Sequence, residues 1–216
     1  MVSAADQSAQ RGGFRNMLTI MSDRPLSPIP VAEADRAYVT LISAYREDPA
    51  HRWLYPDDDS YAVNFPVLVA AVAGNAFEMS TAWRQDDYSA VALWVPPGVS
   101  PDAELIGTTV FETVSVDKHP EAFGTLEQTD MARLQDPHWY LPFFGVESTK
   151  QGHGLGTRLL TACLHYIDLG GLPAYLLASN PRNVPFFERF GFVHTEDAQQ
   201  GSAPALAVMV REGRNA

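Results

Sequence analysis

Residues 139–146 read WYLPFFGV, an unbroken aromatic and apolar run. A run of this length, ended by a turn signal, suits a strand buried on both faces at the centre of an α/β sheet. Glycines follow at alternate positions, Gly152, Gly154 and Gly156, within QGHGLG. A helical pattern then begins at once. Leu155, Leu159, Leu160, Cys163, Leu164 and Ile167 form one apolar stripe, and Gly170-Gly171 with Pro173 beyond ends it. Strand, glycine-rich turn and helix in this order fix the centre of the fold.

The same order is a chemical device. Without Cβ atoms a backbone can approach a ligand closely and take positive φ. The first amides of a helix lack internal acceptors and lie at the positive end of its dipole, so such a turn suits a phosphate or pyrophosphate. A P-loop would need G-x-x-x-x-G-K-[ST], and a dinucleotide loop G-x-G-x-x-G; residues 151–156 match neither. A tight turn with no ligand is the plain alternative, and a nucleotide-binding oxidoreductase a remote one.

A second segment narrows the choice. NPRNVPFFERFGF spans 180–192, one short strand (174–179) beyond the helix. Gln-x-x-Gly-x-Gly after an apolar strand, followed by this segment, resembles the coenzyme A loop and the second cofactor segment of the GCN5-related N-acetyltransferase (GNAT) superfamily. ALWVPPG at 92–98 and the acidic-aromatic N-terminal half are similar to puromycin N-acetyltransferase-like members, which extends the resemblance over roughly 26–211.

The resemblance implies an α/β fold with a mixed, mostly antiparallel central sheet of about six to seven strands, flanked by helices and splayed at its central strands. It implies one domain over 25–213 behind an extension at 1–24, and acetyl-CoA as cosubstrate. Phe144, Val146, Gln151, Gly152, His153, Gly154, Leu155, Gly156, Thr157, Asn180, Asn183 and Phe187 would hold it. A backbone N–H near Val146 would meet the oxyanion. Gly145 would suit the bulge of a splayed strand, and Pro142 a strand with broken pairing. Trp53, Tyr55, Trp94 and Tyr140 would border a small-molecule amine. Direct transfer in a ternary complex is implied because no nucleophile is evident.

The pattern also breaks. Phe187 stands where most relatives carry a tyrosine that protonates the leaving thiolate, and Leu177 where puromycin-type relatives carry a glutamate. Tyr140 stands where several relatives carry a basic carboxylate; a phenol with an ordinary pKa of about 10 is a poor base. Glu147, His138, Glu112 or Asp136 would then assist through water. A CoA-holding sensor or interaction module without turnover is the rival class. Asn183 is equally a helix cap, and Phe186 reads as core.

Composition supports a folded chain with small partners. The net charge of −11 over 216 residues disfavours nucleic acid and suits a cationic amine. The single cysteine, Cys163, allows no internal disulfide and sits in the helix stripe as a buried apolar residue. No apolar run reaches the roughly 18–20 residues of a membrane span, and residues 1–16 lack a signal core, so a cytoplasmic protein is expected, with a homodimer left open. No metal is expected: Asp57-Asp58-Asp59 reads as a solvated turn.

Periodicity places a strand near 26–32, helices over 32–46 and 61–79 and a loop at 51–60. It further places a hairpin of 80–83 and 88–95, helical segments at 102–117 and 119–135, and closing strands at 193–196 and 206–211.

Overall fold

The computed structural model describes residues 26–85 and 87–213. The extension at 1–24 lies outside the described residues, as does Asp86 of the hairpin turn. One seven-stranded sheet runs from β1 (Ser27–Pro28) through β2 (Ala82–Gln85), β3 (Ala90–Val95), β4 (Trp139–Val146), β5 (Ala174–Ala178) and β6 (Val193–Ala198) to β7 (Leu206–Arg211). Its spatial order is β1-β2-β3-β4-β5-β7-β6. Every neighbouring pair is antiparallel except β4 and β5.

Helices cover both faces. On one side lie α1 (Ala34–Ala44), α2 (Pro49–Leu54), α3 (Asp58–Ala73) and the single turn α4 (Asn75–Glu78), joined by α5 (Ala103–Thr113) and α6 (His119–Met131). Their shared core holds Leu41, Tyr55, Phe65, Val69, Leu93 and Phe143. On the other side α7 (Leu155–Ile167) buries the stripe seen in the sequence, Leu159, Leu160, Cys163, Leu164 and Ile167, against Trp83, Trp94, Trp139 and Leu176. The short α8 (Val184–Glu188) follows β5.

The segment 51–60 is not a loop. Asp48 caps α2 by accepting from the amides of Ala50 and His51 (3.1 and 3.2 Å), and Pro49 opens it. Asp57 then caps α3 through the amide of Ser60 (2.7 Å), while Asp58 pairs with Arg46 and Arg52, each at 3.0 Å. The three adjacent aspartates are thereby a helix start and a salt bridge.

The central strand differs from expectation in one informative way. β4 is not buried on both faces; buried and half-buried residues alternate along it. Its register against β3 also shifts, because Leu93 faces Phe143 while Val95 faces Tyr140. Three steps on β4 answer two on β3, so β4 carries one extra residue beside Pro142. The bulge lies there and not at Gly145. It switches the strand's faces: Trp139 and Leu141 point to the α7 side and Phe143 to the α1 side, while Phe144 and Val146 return to the α7 side. Gly145 is small for another reason. A Cβ there would stand 2.8 Å from Ala44 Cβ and 3.0 Å from a Leu41 methyl, so its absence lets α1 lie directly on β4.

Candidate active site

β4 and β5 pair only from Trp139–Leu141 to Ala174–Leu176. Both strands continue past that point without pairing each other. A cleft of about 770 Å³ opens there, floored by the β4 residues Pro142, Phe144 and Val146 and closed opposite by Leu177 and Ala178. The glycine-rich turn forms its far end. Gln151 Nε2 donates to the Val146 carbonyl at 3.1 Å and ties the turn to β4.

Gly152 and Gly154 take φ of +79° and +78°, and a Cβ on either would project into open space. Gly154 caps α7 without any side-chain cap bond. Among the described residues, the amides of 152–157 donate to no protein acceptor. Lys150, Arg182 and Arg189 add positive charge along the same cleft in an otherwise acidic chain. Open amides, a cradle without side chains and three cations together suit a polyphosphate.

The residues assigned to the cofactor from sequence all line this cleft except His153, which is exposed beside it. Asn180 accepts from the Arg182 amide at 3.1 Å and so caps the turn at 181–183, whereas Asn183 makes no cap bond at α8 and faces the cleft. Phe187 is the buried member of the aromatic pair. Phe186 is half-buried, packed against the core as expected and also lining the cleft.

A second cavity, about 180 Å³ and mostly apolar, lies across the sheet from the first. Trp53, Leu68, Val110, Leu126, Tyr140 and Phe143 form its walls. Pro142, Leu177 and Ser179 line both cavities, so the two meet where β4–β5 pairing stops. Trp53 and Tyr140 border this second cavity as expected from sequence. Tyr55 and Trp94 do not. Tyr55 is fully buried with its hydroxyl 2.8 Å from Thr113 Oγ1. Trp94 points to the α7 side and packs edge-on against Trp139, centroids 6.4 Å apart. An aromatic residue on a strand buried on both faces can serve either side, and here the α7 side takes Trp94.

Burial pushes the Tyr140 phenol up to about 12, which excludes it as a base near neutral pH. Glu147 pairs with Lys150 at 2.9 Å, and His138 turns its Nδ1 to the Asp136 carbonyl at 2.8 Å. Neither lines either of these two cavities, nor do Asp136 and Glu112.

Three other residues occupy the junction. Tyr45, at the end of α1, accepts through Oη from the amide of Phe144 at 3.2 Å. That amide therefore points into the gap rather than toward β3, and by the strand's period of two so does the amide of Val146. Pro142 has no N–H, which makes Phe144 the gap-facing amide closest to the junction. Asp48 lines the larger cleft and His51 the smaller cavity. Asp48 Oδ1 meets His51 Nδ1 at 2.7 Å, and Asp48 Oδ2 accepts from Ser179 Oγ at 2.7 Å. Burial alone would raise the Asp48 carboxyl, but its bonds with His51 and Ser179 hold it below the ordinary 3.8. Sequence reading missed all three. The signal was present in Asp48-Pro49, which caps a new helix as readily as it ends the last one.

The chain matches the model of the Acetyltransferase (GNAT) family over residues 31–192. It belongs to that family. An uncharacterized N-acetyltransferase of Schizosaccharomyces pombe is 26% identical over 200 residues, 82% of this chain and 78% of the relative. Solved structures share the fold. One, described as histone acetyltransferase HPA2 and related acetyltransferase from Corynebacterium glutamicum, superposes with a TM-score of 0.60 at 20% identity, over 88% of this chain and 97% of the other. Arylalkylamine N-acetyltransferase 2 of Aedes aegypti gives 0.60 at 11% identity, over 87% and 97%. The PaiA N-acetyltransferase of Thermoplasma acidophilum, solved in complex with coenzyme A, gives 0.50 at 7% identity, over 87% and 97%. No helix among the described residues is long and apolar enough to cross a membrane.

Proposed function

We propose that this protein moves an acetyl group from acetyl-CoA to the amine of an apolar small molecule, by direct transfer in a ternary complex. The observation that carries this reading is the meeting of the two cavities at Pro142, Leu177 and Ser179. A donor held in the larger cleft and an acceptor in the smaller cavity would have their reacting ends at one point. Such positioning is worth about 7–11 kcal/mol of barrier, more than any single acid or base.

Acetyl-CoA, when bound, supplies an acetyl group already activated as a thioester. The chain supplies the rest. The amides of 152–157 with Lys150, Arg182 and Arg189 would hold the phosphates, and the β4 edge at Phe144 and Val146 the pantetheine amides. The Phe144 amide, closest to the junction, would have to exchange its bond with Tyr45 Oη to meet the oxyanion, and Val146 is the gap-facing donor beside it. Tyr45 offers part of what Phe187 cannot: burial pushes its phenol up, so Oη keeps its proton and can donate a hydrogen bond to the departing thiolate. Direct transfer is supported by Cys163, whose thiol is fully buried and pushed up by that burial.

The acceptor class follows from the smaller cavity. No Asp or Glu lines it among the described residues, and its charged or titratable cations are His51 and Arg133. A second ammonium on the acceptor would lack a partner there and face Arg133, so an apolar monoamine is favoured over a polyamine. The kinship with puromycin N-acetyltransferase-like members stays part of this proposal. Leu177, half-buried in place of their glutamate, argues for a different proton route within that group. A homodimer also remains a proposal, read by light scattering.

Thiol release from acetyl-CoA across a panel of arylalkyl and alkyl monoamines, diamines and polyamines tests the reading. Monoamines are expected to exceed polyamines in kcat/KM by at least about 10-fold, roughly one unmatched ammonium. Polyamine preference would contradict the acceptor class. CoA binding without thiol release on any amine would leave a CoA-holding module instead.

A further inference from the structure

We infer that His51, held by Asp48 and Ser179, is the base that takes the proton from the acceptor's ammonium group. The inference rests on the transferase reading above and adds to it the residue that makes the amine nucleophilic.

The geometry sets the tautomer. An ionised carboxylate can only accept, so the 2.7 Å contact with Asp48 Oδ1 places the His51 proton on Nδ1. Nε2 then carries a lone pair, and among the described residues no protein group bonds to it. His51 lines the apolar cavity proposed for the acceptor, while Asp48 and Ser179 line the cleft proposed for the donor. The three side chains thus run through the junction.

Helix capping does not account for this arrangement. The cap uses one carboxylate oxygen, Oδ1, toward the amides of Ala50 and His51. The other oxygen reaches a residue 131 positions away, at the end of β5. The ring itself is flanked by three aromatic rings, edge-on to Tyr45 at 5.0 Å and Phe65 at 4.9 Å and tilted to Phe143 at 6.0 Å between centroids. A side chain that only closed a helix turn would not need its ring plane fixed from three elements.

The groups facing His51 are few. Asp48 comes from its own helix start, Tyr45 from α1 and Ser179 from the end of β5, while Tyr61 of α3 lies near Asp48. Tyr140 and Arg133 share the cavity. Arg52, next in sequence, is turned to Asp58 and the Pro56 carbonyl. Among the described residues, Asp48 is thus the one carboxylate bonded to the ring. The step balances simply. One proton passes from the ammonium nitrogen to Nε2, the freed electron pair stays on nitrogen, and the imidazolium is met by the Asp48 carboxylate until solvent takes the proton. His51 touches the substrate; Asp48 and Ser179 are positioning residues.

The test uses His51→Gln and Asp48→Asn in the full chain, with the preferred amine from the panel, kcat/KM measured across pH and CoA affinity by calorimetry. His51→Gln should lose about 10²–10⁴-fold in kcat/KM at neutral pH and lose the acid limb of the wild-type profile, with CoA affinity within about 2-fold. Asp48→Asn should lose less and move that limb. Neutral-pH turnover within about 3-fold of wild type in His51→Gln, with CoA binding intact, would overturn the base while leaving the transferase. Loss of the limb in a folded His51→Gln that still binds CoA supports it. A wild type that gives no heat with CoA overturns the transferase reading, and the base with it.

Discussion

Ser179 Oγ donates to Asp48 Oδ2 at 2.7 Å, joining the start of α2 to the end of β5 at the point where two cavities meet. This bond spans the sheet's opening. It couples the stability of the site to the charge on one buried carboxylate.

Removing that carboxylate should therefore cost stability in a pH-dependent way. The native Asp48 carboxyl sits below its ordinary 3.8, so as pH falls the unfolded chain binds the proton first. The stability Asp48 contributes is present in full above about pH 4 and disappears as pH drops through the lowered native value. Asp48→Ala should lose about 2–4 kcal/mol at pH 7, for a cap and a buried bond together. Urea melts should show that gap narrowing as pH falls below about 4. A gap independent of pH would contradict the carboxylate's role.

Gly154 holds φ +78° at the head of α7, with open space where a Cβ would go. Gly154→Ala should cost about 1–2 kcal/mol from the left-handed conformation. It should also put a methyl among the amides proposed to hold the donor, weakening CoA binding about 10-fold or more by calorimetry. Gly156→Ala is the useful contrast. Its Cβ would meet Val146 and Phe144 at 3.4–3.5 Å, ordinary contact without a left-handed φ, so no conformational cost is expected there.

At Gly145 the packing argument is sharper. A Cβ at 2.8 Å from Ala44 Cβ must separate α1 from β4. Gly145→Ala should lose about 1–3 kcal/mol, read as a lowered Tm. It should lower turnover further than that loss explains, since Tyr45 follows directly on α1.

Much of this was legible beforehand because the signals are local. β4, the glycine turn and the α7 stripe announce themselves by period and by turn residues, and the structure returns them nearly to the residue. What stayed hidden depends on distant chain. Pro49 both follows α1 and opens α2, and only the Asp48 contacts with Ala50, His51 and Ser179 decide between a stop and a cap. The bulge beside Pro142 exists only relative to β3. Trp94 was drawn to the acceptor because a strand pattern does not say which face a helix will cover.

Trp94 and Trp53 give a direct contrast on that last point. Trp94→Phe should leave KM for the amine within about 2-fold and cost about 1–3 kcal/mol of stability through lost core volume. Trp53→Ala should raise amine KM several-fold with less effect on Tm. Steady-state kinetics beside thermal melts would separate them, and an equal KM effect for both would contradict the assigned faces.

Arg182 and Arg189 border the larger cleft from the α8 side. Replacing either with Ala should weaken CoA binding about 5-fold, as for an exposed charge contact, and flatten its salt dependence. Equal affinities at low and high salt in the wild type would remove both from the account.

The central claim is that the amides of 152–157 grip the diphosphate of coenzyme A, and amide hydrogen exchange at those residues with and without saturating CoA tests it most directly. The account predicts marked slowing from Gly152 to Thr157, with Phe144 and Val146 slowed beside them. Exchange unchanged at all six turn amides under saturating CoA would contradict it.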